Sequence, residues 1–117
     1  MMRQTMFHDG WTCRHLNEPG EGTPVRIPDD AMLREQRTAD ALGGLNVSWF
    51  EGYDYLYAKR FILSEEEARL HHVLEFEGVY RCAEVLINGK KAGYRPYGYT
   101  NFYVDCDEFL TAGENTV

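Results

Sequence analysis

Residues 81–92 read Arg-Cys-Ala-Glu-Val-Leu-Ile-Asn-Gly-Lys-Lys-Ala, and this stretch decides the fold class. Apolar Ala83, Val85 and Ile87 recur at every second position, which is the side-chain period of a β-strand. Asn88-Gly89 follows directly, and Asn-Gly after such a run is the strongest short signal for a β-hairpin. The stretch therefore predicts two antiparallel strands joined by a tight turn.

Short strands between turn residues are also predicted along the rest of the chain. The run Tyr53–Leu63 has largely apolar side chains on both faces, which indicates a central strand. No long stretch shows the i, i+3, i+4, i+7 spacing of an amphipathic helix. We therefore predict an all-β fold of roughly seven strands, a β-sandwich or a jelly roll, with residues 1–117 as one domain. Further strands are predicted within 10–16, 70–77 and 99–105.

Cap and turn residues set the expected boundaries between these strands. Ser64 with Glu67 three residues later predicts a capping box at the start of a short helical turn. Gly113-Glu114-Asn115 is interpreted as a turn, after which Thr116-Val117 opens a last strand that the sandwich would still need. The strand within 70–77 is predicted to turn four side chains inward: Leu70, His72, Leu74 and Phe76.

Length and charge exclude several classes of function. The chain has 117 residues, too few for a catalytic (β/α)8 barrel, which takes about 250. The net charge is −7, from 12 basic and 19 acidic residues, and this disfavours nucleic acid and anionic lipid as partners. Apolar runs are too short for a membrane span, and no signal-peptide pattern opens the chain.

The cysteines indicate a reducing environment. Cys13, Cys82 and Cys106 are odd in number and contain no C-x-x-C pair. A disulfide framework and a zinc knuckle are therefore both poorly supported. We expect a cytoplasmic protein and no cofactor within these 117 residues.

Several motifs occur in an order that resembles one known family. The chain from about Phe7 to Val117 is similar to the N-terminal sugar-binding domain of family 2 glycoside hydrolases, in particular of β-galactosidases. The resemblance is specific as an ordered combination rather than in any single motif. The motifs are Asp9-Gly10-Trp11, Ile27-Pro28-Asp29-Asp30, Tyr57-Ala58-Lys59-Arg60-Phe61, Leu74-Glu75-Phe76-Glu77-Gly78-Val79, Val85-Leu86-Ile87-Asn88-Gly89-Lys90, Gly98-Tyr99 and Gly113-Glu114-Asn115.

This resemblance implies that catalysis belongs to another part of a larger protein. In β-galactosidases, β-glucuronidases and β-mannosidases of the family, the jelly roll precedes an immunoglobulin-like domain and a catalytic barrel. The barrel supplies two glutamates, the acid/base and the nucleophile of a retaining mechanism. The chain is therefore expected to contain no catalytic residue and to be inactive alone. Its expected partners are a carbohydrate, such as a β-galactoside, and the two other domains.

The resemblance also implies a sugar contact at Asp30. In the family's β-galactosidases, a polar residue after this proline reaches the sugar, and a carboxylate can accept hydrogen bonds from neighbouring hydroxyls. The alternative is that Asp29 and Asp30 only cap a turn. The family often has an aromatic residue at the next position, whereas Ala31 stands here.

Two aromatic residues are further candidates for sugar binding. Trp49 belongs to a group with Phe50, Tyr53 and Tyr55, and Tyr97 to one with Tyr94, Tyr99 and Tyr103. Their rings could stack on the C–H face of a pyranose, but packing in the core or at a sandwich edge is the alternative and the favoured interpretation.

No metal site is predicted. His71 and His72 are adjacent in a predicted strand, so they point to opposite faces and cannot chelate one ion together. Asp105, Asp107 and Glu108 match no calcium-loop spacing, and capping of a turn explains them better. Three alternatives remain open from sequence: the same domain of a β-glucuronidase or a β-mannosidase, a free-standing carbohydrate-binding module, and a structural role as a homo-oligomer.

Overall fold

The computed structural model describes residues 4–29, 31, 54–77, 83–95 and 101–117. These residues form eight strands and a helix of 4 residues, so the predicted all-β fold is confirmed. The chain divides into two compact units, Met1–Lys59 and Arg60–Val117. No helix in the described ranges has the length and apolar character that crossing a bilayer requires.

The first unit is an antiparallel sheet. Strand β1 (Trp11–His15) pairs with β2 (Thr23–Val25) on one side and with the beginning of β3 (Tyr55–Leu63) on the other. Trp11 and Cys13 are buried from one face of β1, as the two-residue period dictates. The rest of β3 belongs to the second unit, where it pairs with β8 (Gly113–Thr116).

The remaining elements of the second unit begin with a capped helical turn. Helix α1 (Glu65–Ala68) starts at Ser64, whose Oγ accepts the Glu67 N–H at 3.1 Å, while Glu67 Oε1 accepts the Ser64 N–H at 2.9 Å. The predicted capping box is confirmed. Strand β4 (Val73–Phe76) then pairs antiparallel with β7 (Phe102–Asp105).

The predicted hairpin is confirmed. Strands β5 (Ala83–Ile87) and β6 (Lys90–Arg95) are joined at Asn88 and Gly89, which have φ of 52° and 80°. Two successive positive φ angles match the right-handed twist of the strands, and Asn and Gly tolerate them best. The hairpin contributes to the core of the unit, whose buried members are Val85, Ile87, Phe102, Val104 and Cys106.

Two predicted boundaries are wrong. Leu70 is 62% exposed, because its N–H still bonds to the Glu67 carbonyl at 3.1 Å and continues the helical turn, so β4 begins only at Val73. Gly113–Thr116 is a strand rather than a turn followed by a strand. The reason is that the Asn115 side chain bonds to main-chain groups of Thr111 and Gly113 and can therefore be buried within the strand.

Candidate functional site

The loop that carries the predicted sugar contact is anchored to the sheet of the first unit. Asp30 itself lies outside the described residues, but Asp29 and Ala31 on either side of it are described. Asp29 Oδ2 accepts a hydrogen bond from the Tyr57 hydroxyl at 2.8 Å. Ala31 is 4% exposed. The chain is therefore anchored immediately before Asp30, and the residue immediately after it is buried.

Tyr57 is suited to hold this loop because its hydroxyl stays protonated. The residue lies in β3 opposite Cys13 of β1. The pKa of Tyr57 is raised well above its usual range. Burial is the largest cause, and the hydrogen bonds to Asp29 and Cys13 raise the pKa further. The phenol is therefore a permanent hydrogen-bond donor to the Asp29 carboxylate.

A second set of contacts fastens the same loop to the segment before β1. Arg26 Nε donates to Asp9 Oδ1 at 2.8 Å, and the Ile27 N–H donates to the His8 carbonyl at 3.0 Å. Lys59 Nζ donates to the Asp9 carbonyl. The motifs Asp9-Gly10-Trp11 and Ile27-Pro28-Asp29-Asp30 are thus neighbours in space.

The aromatic candidates divide according to what the structure describes. Trp49 and Tyr97, like Asp30, fall outside the described ranges, and their sugar contacts stay predictions. Of the neighbours in their groups, Tyr55 is half-buried with its ring 5.5 Å from that of His15. Tyr94 and Tyr103 are exposed on β6 and β7.

One cluster of polar side chains was not found by sequence reasoning. Ligand-type atoms of His71, Asp105 and Asp107 lie within 4.8 Å of one another. His71 Nδ1 bonds to Asp107 Oδ2, and Asp107 Oδ1 accepts the His72 N–H at 2.7 Å. Asp105 Oδ1 accepts the Asp107 N–H at 3.1 Å, as the predicted capping role requires. These hydrogen bonds give the cluster a structural role, because they join the residues just before β4 to the turn that follows β7. The expectation that no metal binds stays a prediction.

The same contacts shift the pKa values of His71 and Asp107 in opposite directions. Hydrogen bonding to Asp107 and its charge raise the pKa of His71. The His72 N–H, and then the His71 ring, lower the pKa of the Asp107 carboxyl. The pairing of β4 with β7 brings His71 close to Asp105 and Asp107. Because His71 and Asp107 are 36 positions apart in the sequence, no local pattern predicted this cluster.

These features define the class of the chain: it is an all-β domain with an acidic loop that is anchored at Asp29. The chain belongs to the family described as glycosyl hydrolase 2 galactose-binding domain-like, which it matches over residues 11–117. This confirms the assignment to the sugar-binding domain of family 2 glycoside hydrolases.

Several relatives carry the names of β-glycosidases. A candidate β-glucuronidase from Formosa agariphila is 41% identical over 93 residues, covering 80% of this chain and 9% of the relative. A β-galactosidase from Bacteroides ovatus is 41% identical over 61 residues, covering 52% of this chain and 7% of the relative. The chain therefore spans less than a tenth of the length of these curated relatives.

Solved structures share the fold. A β-glycosidase from Bacteroides vulgatus superposes with a TM-score of 0.78 at 28% identity, covering 94% of this chain and 16% of that one. A family 2 member from Bacteroides cellulosilyticus reaches a TM-score of 0.84 at 20% identity, covering 98% of this chain and 17% of that one. Domains of this kind thus occur within much longer family 2 chains.

Proposed function

We propose that this chain is the sugar-binding domain of a β-galactosidase-like glycosidase, in which it shapes the sugar pocket while another domain cleaves the bond. The supporting observation is the hydrogen bond from Tyr57 to Asp29, which holds the loop immediately before Asp30. An anchored loop can present a carboxylate to a sugar with little loss of conformational freedom on binding. Retaining hydrolysis needs two carboxyl groups about 5–5.5 Å apart across the bond, and the catalytic barrel of the longer protein provides them.

The charge of Asp30 favours a neutral sugar over a uronic acid. A carboxylate accepts hydrogen bonds from hydroxyl groups. The carboxylate of a glucuronide about 4 Å away would be repelled by about 1 kcal/mol in water and about 4 kcal/mol in a partly desolvated site. This argument supports a terminal β-galactoside as substrate, in agreement with the name of one relative and in contrast to that of another.

The first test uses the 117-residue chain alone. It should release no nitrophenol from nitrophenyl β-galactoside, β-glucuronide or β-mannoside. Steady turnover by the purified chain that persists in Asp30→Ala would contradict the proposal, because a complete pair of catalytic carboxyl groups would then have to lie within these residues.

The second test uses the longer protein that contains this domain. Asp30→Ala should lower kcat/KM for the β-galactoside by about tenfold to a hundredfold, because a hydrogen bond to a charged group contributes about 1.5–3 kcal/mol. Asp30→Asn keeps one oxygen acceptor and removes the charge, so it should lower the preference for galactoside over glucuronide. Asp54→Asn changes an exposed aspartate of the same unit and serves as the control. Equal kcat/KM values in Asp30→Ala and the control would refute the sugar contact.

We also propose that the domain needs no cofactor and works in a reducing compartment such as the cytoplasm. The support is that Cys13 and Cys106 are buried as free thiols. Mass measurement of the protein from its native host, with and without alkylation of the unfolded chain, tests the redox state. Recovery of these cysteines in disulfides would contradict this assignment.

A further inference from the structure

The outer face of the sheet formed by β4 and β7 carries an exposed tyrosine. The inner face of this sheet packs on the core through Phe76 and Phe102, whose rings stack at 4.7 Å. Successive side chains of a strand point to opposite faces, so Tyr103 and its cross-strand partner Glu75 point outward. Tyr103 is 66% exposed. The outer face of this sheet therefore presents the side chain of Tyr103 to solvent.

Two polar side chains converge beside this tyrosine. The Tyr103 hydroxyl donates to Glu75 Oε1 at 3.3 Å, and Asn101 Nδ2 donates to the same oxygen at 3.1 Å. The other carboxylate oxygen, Glu75 Oε2, and the amide oxygen of Asn101 have no hydrogen-bond partner in the described part of the chain. Among the described residues, this face therefore presents two open acceptors next to an aromatic ring.

The ring of Tyr103 is also open. Within the described ranges, neither another ring nor a cation is placed against it. Tyr94 on β6 is different, although it is 55% exposed, because Lys91 Nζ lies 5.1 Å from the centre of its ring. Tyr103 can therefore offer its ring to a ligand, whereas the ring of Tyr94 already has a partner.

We propose that Tyr103, Glu75 and Asn101 form a saccharide-binding site whose ligand is a neutral pyranose. The C–H face of the sugar stacks on the phenol ring, and neighbouring hydroxyls donate to Glu75 Oε2 and Asn101 Oδ1. This goes beyond the proposed function, since none of these residues belongs to the Asp30 loop.

The charge of the face selects this class of ligand. Glu75, Glu77 and Asp105 are exposed acids around Tyr103, so anionic ligands are repelled. A sugar hydroxyl donates a hydrogen bond without bringing a negative charge. A cationic peptide is the competing ligand. Glu75 Oε1 already accepts hydrogen bonds from two neutral donors, Asn101 and Tyr103. Sugar hydroxyls are neutral donors of the same kind, and this favours a sugar. Salt distinguishes the two ligands, because only the attraction between opposite charges is screened.

The test is a titration of the 117-residue chain with lactose, cellobiose and mannobiose, in which NMR chemical shifts of the backbone amides report binding. We expect at least one of these disaccharides to bind with a Kd on the order of 1 mM and to shift the amides of Glu75, Asn101 and Tyr103. Raising the salt concentration to about 0.5 M should leave this Kd unchanged, although the Debye length then falls well below the roughly 10 Å of 0.1 M salt.

Substitutions separate this site from the Asp30 loop. Tyr103→Ala should weaken binding about tenfold or more through loss of stacking, whereas Tyr103→Phe, which keeps the ring, should retain most of it. Tyr94→Ala is the matched control, an exposed strand tyrosine whose loss should leave the Kd unchanged. Asp30→Ala should leave the sugar-induced amide shifts of Glu75, Asn101 and Tyr103 unchanged, whatever it does to binding at the Asp30 loop, so this site and the proposed function can fail separately.

Three outcomes would overturn the proposal. The first is no amide shift with any of the three disaccharides. The second is binding that Asp30→Ala abolishes and Tyr103→Ala does not. The third is binding of an oligolysine peptide to this face, lost at high salt, with no response to sugars. The amide spectrum of each variant reports whether it has folded, so a misfolded variant is not counted as a loss of binding.

Discussion

Asn88 and Asn115 bind each other in the second unit, where Asn88 Nδ2 donates to Asn115 Oδ1 at 2.9 Å. Asn88 belongs to the hairpin turn, and Asn115 is fully buried in β8. Asn88 also exchanges hydrogen bonds with the main chain of Thr116, at 2.8 Å and 2.9 Å. The motifs Val85-Leu86-Ile87-Asn88-Gly89-Lys90 and Gly113-Glu114-Asn115 therefore form one structural joint.

Asn115→Ala should lower the free energy of unfolding by about 2–4 kcal/mol, because the main-chain groups of Thr111 and Gly113 would lose buried partners. Urea denaturation of the chain measures the change. Glu114→Ala, at the exposed neighbouring position, is the control and should stay within about 0.5 kcal/mol of the original protein. An equally small effect of Asn115→Ala would show that the joint does not stabilise the fold.

Tyr57→Phe should lower the free energy of unfolding by about 0.5–1.5 kcal/mol, since it removes the hydrogen bond to Asp29 and keeps the ring. Tyr103→Phe removes a hydroxyl from an exposed tyrosine and should change the stability by less than about 0.5 kcal/mol. Amide exchange near Asp29 should accelerate in Tyr57→Phe and not in Tyr103→Phe. Identical exchange in both variants would contradict the anchoring of the loop.

Gly93→Ala should destabilise the second unit by about 1–3 kcal/mol, because the new Cβ would lie 2.9 Å from Val104 Cγ2. The double variant Gly93→Ala/Val104→Ala should cost less than the sum of the two single changes, since the smaller side chain makes room for the added methyl group. Thermal or urea unfolding of all four proteins completes the cycle. Strict additivity would mean that the two residues do not compete for the same space.

The pair His71 and Asp107 should make stability depend on pH at both ends of a window. The pKa of His71 is raised from 6.5, so its contribution is complete below pH 6.5 and is lost as pH rises through the raised value. The pKa of Asp107 is lowered from 3.8, so its contribution is complete above pH 3.8 and is lost as pH falls through the lowered value. Both contributions are complete between these two values.

Measurement of unfolding in urea across pH tests this window. The difference in stability between the original protein and His71→Ala should be largest inside the window and should shrink on both sides of it. The ring signals of His71 should titrate at a lower pH in Asp107→Asn than in the original protein, whereas Glu108→Gln, a change in the adjacent residue, should move them much less. A His71 titration that does not respond to Asp107→Asn would contradict the pairing.

The elements that were predictable from sequence are those whose signal is local. The capping box at Ser64 joins residues three positions apart, and the turn at Asn88-Gly89 depends on the φ angles of adjacent residues. The inward positions Phe102 and Val104 follow from the two-residue period of a strand. The predicted starts of β4 and β8 were wrong, and they show where local signals fail. Hydrogen bonds of Leu70 and Asn115, rather than amino-acid composition, set these two boundaries.

The sequence by itself therefore determined the all-β class, the hairpin and the family, since strand period, turn chemistry and motif order are written along the chain. Only the tertiary structure decided that Tyr57 holds Asp29, that His71 meets Asp107, and that Asn88 binds Asn115. These pairs are separated by 28, 36 and 27 positions. Strand register and the packing of the core bring such residues together, and that depends on the free energy of the whole fold rather than on any local pattern.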